Sequence, residues 1–349
     1  MSCHAAAFSH RWPKLINRIT NVWQQSQPYD ERARGPFCSL PSVPILWKPG
    51  FVSLSRVLAV SDSMSSQSDG LPVRHLIEHR NLNARGSRVE ILAIICARNE
   101  LPYLRHVLPY LADEKIEVAL IDNGSIDGTS EVVASGEFNN VVRYEWLPYN
   151  GVFDLAAQLQ FKSRLTLEST ADWLIHQDAD EFLTSRAGWG GLRDQIEKCD
   201  MAGFNVINFN ELVMMPEDPT IDAILSNNKL FYFFEPRPRR LMRAWKRSAR
   251  LNHGVSGGHT LHGNDIRVSP YEMLLKHFIV RSQAHALEKY LNRSFAPTDL
   301  SYGWHENRRN FTKDNLTLPG RNQGLLRLSS PMHAPSTLPS PVTRHFWEW

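Results

Sequence analysis

Between Val89 and Leu183, apolar runs of strand length alternate with stretches whose apolar residues recur every three or four positions. Val89 to Cys96 (VEILAIIC) is almost continuously apolar, as expected of a strand covered on both faces. Behind it, Leu101, Leu104, Val107, Leu108 and Leu111 fall on one helical stripe. Glu117 to Ile121 predicts a second strand, and a helix starts near Asp127, whose side chain can cap it, continuing through Val132 and Val133. Val141 to Trp146 is a third strand, Phe153 to Ser169 a third helix and Asp172 to His176 a fourth strand. Strands joined in this way by helices need right-handed crossovers, which predicts an α/β fold with a parallel sheet.

Ligands of such sheets bind beyond the carboxyl ends of the strands. Three polar clusters fall there: Arg98, Asn99 and Glu100 after the first strand, Asp122, Asn123 and Ser125 after the second, and Asp178 with Asp180 after the fourth. The last cluster sits in WLIHQDADEFL (173–183), where three acids lie within four residues. Such acids repel one another unless water, donors or a cation compensates them, and Mg2+ or Mn2+ with oxygen ligands suits the pattern. A solvated acidic turn is the competing reading of the spacing. Convergence of three polar clusters on one sheet edge favours the cation. If the segment stays extended, Asp178 and Asp180 share one face and Glu181 points the other way, so Glu181 is left out of the ligand set.

The chain after residue 203 has a weaker pattern. Gly203 to Phe209 alternates as a strand does, Leu230 to Phe234 is a further strand or aromatic core piece, and SGGHTLHG (256–263) is a loop. PRPRRLMRAWKR (236–247) is a basic segment, and Tyr271 to Arg293 is helical in its second half. Residues 1–86 and 319–349, rich in Pro and Ser without sustained periodicity, are expected to be a disordered arm and a disordered tail.

The net charge of +3 is uneven: residues 1–85 hold ten Lys and Arg against five Asp and Glu, leaving 29 against 31 for the rest. The folded part is near neutral, so nothing favours nucleic-acid binding. Cys3, Cys38, Cys96 and Cys199 are far apart, without a zinc spacing or a disulfide framework. The longest apolar run, Ile91 to Ala97, is much shorter than the roughly 20 residues of a membrane helix. Arg11, Lys14 and Arg18 have no apolar segment behind them, so no signal peptide is predicted. A cytoplasmic protein without stable membrane insertion is the expectation.

ICARNE (95–100), IDNGSIDGT (121–129) and HQDADEF (176–182) together resemble the family 2 glycosyltransferases of GT-A fold. The second segment is similar to that family's VDDGSTDGT-type sequence, and DAD is a form of its DxD motif. FNELVMMP, AWKR, SGGHTLHG, KHFIVRSQAHALEKYLNR and GWHENR are similar to a bacterial subgroup whose DxD continues as DEF. The resemblance covers about residues 88–312. It implies a GT-A domain over 87–318, with a nucleotide-binding half (87–185) and an acceptor-side half (186–318). It also implies divalent-metal-dependent transfer of a sugar, with inversion, from a nucleotide-sugar donor (UDP- or GDP-linked) to a hydroxyl on a glycan, lipid or small molecule. The QxxRW motif of processive members is absent, which implies single-sugar addition.

Residue by residue, the resemblance places Asp180 and Asp178 on the metal, with Asp178 also toward the ribose. Asp122 faces the nucleoside, or else serves only as a turn residue. Arg98 and Glu100 line the nucleotide pocket. Lys246 contacts a phosphate, or else belongs to a solvated basic face with Arg237, Arg239, Arg240, Arg243 and Arg247. Among the late histidines, His277 is the first choice as a metal or diphosphate ligand and His259 the next, with a core role as the alternative. Inversion needs a general base, for which Glu211 and Asp218 are the candidates. Two other functions fit the same pattern less well. A nucleotidyltransferase needs a Gly-rich phosphate loop that ARNE does not offer. A non-catalytic nucleotide-sugar or carbohydrate-binding protein has no need of the Asp178 and Asp180 pair.

Overall fold

The computed structural model describes residues 88–236, 241–291, 293–320 and 323–349. All of them lie in the unit Val73–Trp349, and the expected arm over 1–86 lies outside the described residues.

The predicted alternation forms β1 (Ile91–Ala97), α1 (Leu101–Asp113), β2 (Glu117–Asp122), α2 (Thr129–Ala134), β3 (Val141–Trp146), α3 (Leu155–Glu168) and β4 (Trp173–Asp178). β3, β2, β1 and β4 lie side by side and parallel, with Ala97 opposite Asp122 and Cys96 opposite Asp178. That register brings all three polar clusters to one edge. Ile91, Ala93 and Ile95 pack into one apolar cluster and Ile94 and Cys96 into another, so β1 is covered on both faces.

Helix starts are fixed by distant acids as well as near ones. Asp127 accepts from Thr129 N in α2 (3.2 Å) and from Leu101 N at the start of α1 (2.8 Å). α3 is capped locally by Asp154, which accepts from Ala157 N (2.8 Å). The fully buried Asp299 accepts from Leu155 N (2.7 Å) and Ala156 N (2.9 Å) at the same terminus.

The later elements are β5 (Glu181–Thr184), α4 (Leu192–Met201), β6 (Val206–Met215), β7 (Leu230–Phe234), β8 (Met242–Lys246), β9 (Met273–His277), α5 (Gln283–Tyr290), α6 (Pro297–Ser301) and β10 (Leu326–Arg327). They make the sheet mixed. β8 runs antiparallel between β4 and β6, and β6 runs on to pair with β7 and, in parallel, with β9. β6 continues through Glu211 to Met215, where alternation predicted an end near Phe209. All ten of its residues are buried, which erases the two-residue alternation that marks a half-exposed strand.

The chain turns at Ala179 and Asp180 between β4 and β5. Asp178 to Glu181 therefore does not stay extended, and its side chains do not alternate between two faces. The segment after Leu318 also departs from the disordered tail expected of its composition. β10 pairs with β7, and Val342 N donates to Phe233 O (2.8 Å) while Glu235 N donates to Val342 O (2.9 Å). Phe346 and Trp347 join an apolar cluster with Tyr290 and Leu316. The buried Lys276 Nζ donates to the carbonyls of Pro331 and His333, each at 2.9 Å. A few aromatic anchors and one ammonium hold a segment whose average composition is that of a loop.

Candidate functional site

A cavity of about 670 Å³ opens at the carboxyl ends of β1 and β4. Its walls include Arg98, Glu100, Asp178, Asp180 and Glu181 from the first half of the chain, and Glu211, Arg243, His277 and Lys289 from the second.

At one end lies the turn after β2. Gly124 has φ +68, and a Cβ there would lie 2.9 Å from Tyr149 Cβ, so the turn admits glycine only. The Arg98 guanidinium donates to the carbonyls of Asn123 and Gly124 and lies 3.4 Å from the centre of the Tyr149 ring. The buried Asp122 accepts from Ser125 N (2.7 Å) and from the Tyr144 hydroxyl (2.8 Å). It does not line the cavity: it holds the turn that carries Asn123 and Gly124, which is the turn-residue alternative for this position.

At the centre, Asp178 and Asp180 are held by different cations. The Lys162 ammonium, nearly buried on α3, donates to Asp178 Oδ1 (3.1 Å), and Arg243 lies 3.9 Å from its other oxygen. Desolvation raises the Asp178 carboxyl, but Lys162, His176 and Arg243 outweigh it and hold it well below the usual range. His176, packed under the site, is driven well down, first by burial and then by Lys162 and Arg243, and is neutral. Asp180 accepts from Lys289 Nζ (2.8 Å) and faces His277 Nε2 at 3.6 Å. Burial again raises this carboxyl and is outweighed by Lys289 and His277, so Asp180 is ionised.

His277 Nδ1 lies 2.6 Å from Glu211 Oε1. Burial lowers the imidazole, but Asp180 and Glu211 raise it well above its ordinary value, and burial of Glu211 is likewise outweighed by His277. His277 is thus hydrogen-bonded to Glu211 and faces Asp180 on the cavity wall. Register explains it: β9 lies between β5 and β6, with His277 opposite Glu181 on one side and Val213 on the other. Glu100 completes the centre. It lies 3.2 Å from Lys289, and burial raises its carboxyl more than Lys289 lowers it.

Glu181 lies between β4 and Arg243. It accepts from Asp178 N (3.1 Å), and its other oxygen pairs with Arg243 at 2.5 Å, both side chains being buried. Burial pushes its carboxyl up to about 7 even against that guanidinium. Its work is internal to the wall.

Two expected site residues lie elsewhere. Lys246 is paired across the sheet with Trp173, at the opposite end of β4 from Asp178, and its ammonium pairs with Asp200 at 2.6 Å. Its place is fixed by the antiparallel direction of β8, which sequence did not supply. Asp218 accepts from Thr220 N (2.9 Å) and Thr220 Oγ1 (2.6 Å) in an exposed turn and does not line the cavity. Of the basic face proposed around Lys246, Arg237, Arg239 and Arg240 lie outside the described residues, and Arg243 is buried in the site. His259 lines the cavity as well, and the loop before it packs against β4, where a Cβ on Gly258 would lie 2.5 Å from His176 Cε1.

Lys162 and Lys289 were not legible as site residues. The available signal was a lysine on the apolar stripe of a helix: Lys162 shares its buried face with Leu159 and Leu165, and Lys289 borders Ala286 and Tyr290. Charged residues in such positions require partners.

Residues 92–210 match the family model described as glycosyl transferase family 2. This match supports a family 2 glycosyltransferase, and it spans the segment that supplies Arg98, Glu100, Asp178 and Asp180. The fold is α/β, a mostly parallel mixed sheet flanked by helices, like that of GT-A glycosyltransferases. Among solved structures, S. aureus TarS 1-349 is similar at 13% identity and a TM-score of 0.34, over 65% of this chain and 69% of that one. The mannosyltransferase PcManGT from Pyrobaculum calidifontis, in complex with GDP-Man and Mn2+, is similar at 13% identity and a TM-score of 0.35, over 63% and 70%. A longer S. aureus TarS structure is covered over 42% of its length. At these scores the likenesses add no argument to the one made by the residues. No curated protein matches the chain. Among the described residues no helix is long and apolar enough to cross a membrane.

Proposed function

We propose that this chain transfers a single sugar from a nucleotide-sugar donor, UDP- or GDP-linked, to a hydroxyl of a glycan, lipid or small molecule, with inversion at the anomeric carbon. The observation that carries this reading is the grouping of Asp180, His277 and Glu211 on the wall of a cavity at the carboxyl ends of β1 and β4.

Mn2+ or Mg2+ fits this wall. With Glu211 engaging Nδ1, the Nε2 atom of His277 is directed at Asp180, and a carboxylate behind a ligating imidazole is the usual support of a metal-binding histidine. Among the described residues no cluster of three or more His, Cys, Asp or Glu ligands occurs. Asp180 and His277 would hold the ion together with donor phosphate oxygens and water, which suits a cation that binds through one or two protein groups plus phosphates. When bound, the ion supplies Lewis-acid stabilisation of the departing diphosphate.

The protein's own groups do the rest. Arg98 and Tyr149 frame the nucleoside end, with Asp122 fixing the turn beneath it. Asp178, oriented by Lys162, accepts from ribose hydroxyls. Lys289, beside Asp180 and Glu100, turns its ammonium to the phosphates. Glu211 is ionised; with Oε1 on His277, its Oε2 takes the proton of the attacking hydroxyl.

Thermal shifts of the full chain with UDP-, GDP-, CMP- and dTDP-sugars, with and without Mn2+, test the reading. At least one donor should stabilise the protein in the presence of Mn2+, by about 2.7 kcal/mol at a hundredfold excess over Kd. No stabilisation by any of them, with or without the metal, overturns it.

A further inference from the structure

This inference rests on the glycosyltransferase reading and adds the charge of the acceptor. Most cations lining the cavity already have partners. Lys289 pairs with Asp180 and Glu100, Arg243 with Glu181, and Arg281 with Asp222 (3.2 Å), while Arg98 donates to backbone carbonyls. Arg293 and Arg308 differ. Both line the cavity, and among the described residues neither guanidinium has a carboxylate partner or a hydrogen-bond acceptor. Arg308 Nε is buried without a partner.

The two arginines are held on one aromatic frame. The Arg293 guanidinium lies 4.9 Å from the centre of the Phe153 ring and 5.5 Å from that of Tyr290. Phe153 in turn meets His305 edge-on at 5.4 Å, and Arg308 N donates to His305 O (2.9 Å) within the 3-10 turn Glu306–Arg308. His305 also lines the cavity. Its side chain is 5% exposed, and neither ring nitrogen has a hydrogen-bond partner. Arg308 lies within electrostatic reach of Asp180 and Glu211, with burial and the charge of Arg293 working against its own. Unpaired guanidinium groups in a partly desolvated wall are costly until an anion meets them, and their planar forks match phosphate and carboxylate oxygens.

The donor's needs are met elsewhere, by Arg98 and Tyr149 at the nucleoside end and by Asp180, His277 and Lys289 at the diphosphate. Arg293 and Arg308 instead stand at the Phe153 and His305 frame, which carries none of those groups. We propose that Arg293 and Arg308 form an anion subsite that receives a phosphate or carboxylate carried by the acceptor, so that the acceptor is an acidic sugar or a sugar phosphate.

The test is calorimetry on the full chain with saturating UDP and Mn2+, titrating glucose 6-phosphate, glucuronate and glucose. Wild type should bind at least one acidic sugar about tenfold or more tightly than glucose. Arg308→Gln should lose most of that preference, Arg308→Lys should keep part of it, and Arg293→Gln should weaken it. UDP affinity of Arg308→Gln, measured alone, should stay within about twofold of wild type. Equal binding of acidic and neutral sugars by wild type overturns the proposal. A loss of UDP affinity matching the loss for the acidic sugar also overturns it, because the guanidinium would then serve the donor. If UDP fails to bind while acidic-sugar binding, measured without it, still depends on Arg308, the anion subsite stands and the donor reading alone falls.

Discussion

The strands up to β5 reach the cavity mainly with acids: Glu100, Asp178, Asp180 and Glu181. The chain from β8 onward reaches it mainly with bases: Arg243, His277, Lys289, Arg293 and Arg308. Three of the four acids have their nearest counterion in the later part, since Glu100 and Asp180 meet Lys289 and Glu181 meets Arg243. Asp178 is the exception, held first by Lys162 from α3. Each part alone would carry a cluster of like charges into a partly desolvated space. Joined, they neutralise one another and leave an ionised acid, Asp180, beside an imidazole. The comparison teaches that the earlier part locates the site and the later part tunes it.

The strongest way to break this division is at Asp180. Asp180→Asn should reduce turnover of a nucleotide sugar by roughly 100-fold or more, and Glu211→Gln, which removes the proposed base, by roughly 10²–10⁴-fold. Steady-state rates of the two variants, each with its melting curve, make the comparison. A loss of less than about tenfold in Asp180→Asn would mean that the ionised acid is not needed for turnover.

Lys289→Met comes next. It leaves Asp180 and Glu100 facing one another without their common cation, and removing one partner of a buried pair costs about 3–5 kcal/mol. Urea denaturation should show the loss, and Mn2+ should return more stability to the variant than to wild type. A variant as stable as wild type would mean that the later part is not needed to neutralise the acids.

A smaller effect is expected at His253, packed 5.2 Å from Trp245 and 5.6 Å from His176. Burial, with Lys162 and Arg243 adding to it, lowers this imidazole to about 4. The unfolded chain takes up a proton near pH 6.5 that the folded chain refuses until about pH 4. Stability from this group is therefore full above pH 6.5 and is lost as pH falls toward 4. His253→Phe should flatten that part of a plot of Tm against pH.

The smallest effect is expected at Lys246, whose partner Asp200 lies on α4. Lys246→Gln should cost no more than about 1 kcal/mol, as for ion pairs that stay in contact with water. Nucleotide-sugar affinity should stay unchanged; a clear loss would return Lys246 to the donor.

Much of the first half was legible because its determinants are local. Strand length, helical stripes and right-handed crossovers are written in adjacent residues, and parallel order then brings Arg98, Glu100 and Asp178 to one rim. That Asp122 accepts from Ser125 N and from the Tyr144 hydroxyl was not legible, because only the folded turn brings them to it. β6 was cut short because complete burial removes alternation. Lys246 was misplaced because nothing in AWKR tells which way β8 runs.

Sequence by itself determined the α/β alternation and the acidic rim, since short-range periodicity and steric handedness set both. Only the tertiary structure decided which cation meets which acid, that His277 stands between Asp180 and Glu211, and that Arg293 and Arg308 line the cavity without a carboxylate partner among the described residues. Those facts depend on register between strands far apart in the chain and on a C-terminal segment held by Lys276, Phe346 and Trp347. Pairings over such separations arise from burial and charge in three dimensions and leave no period along the chain.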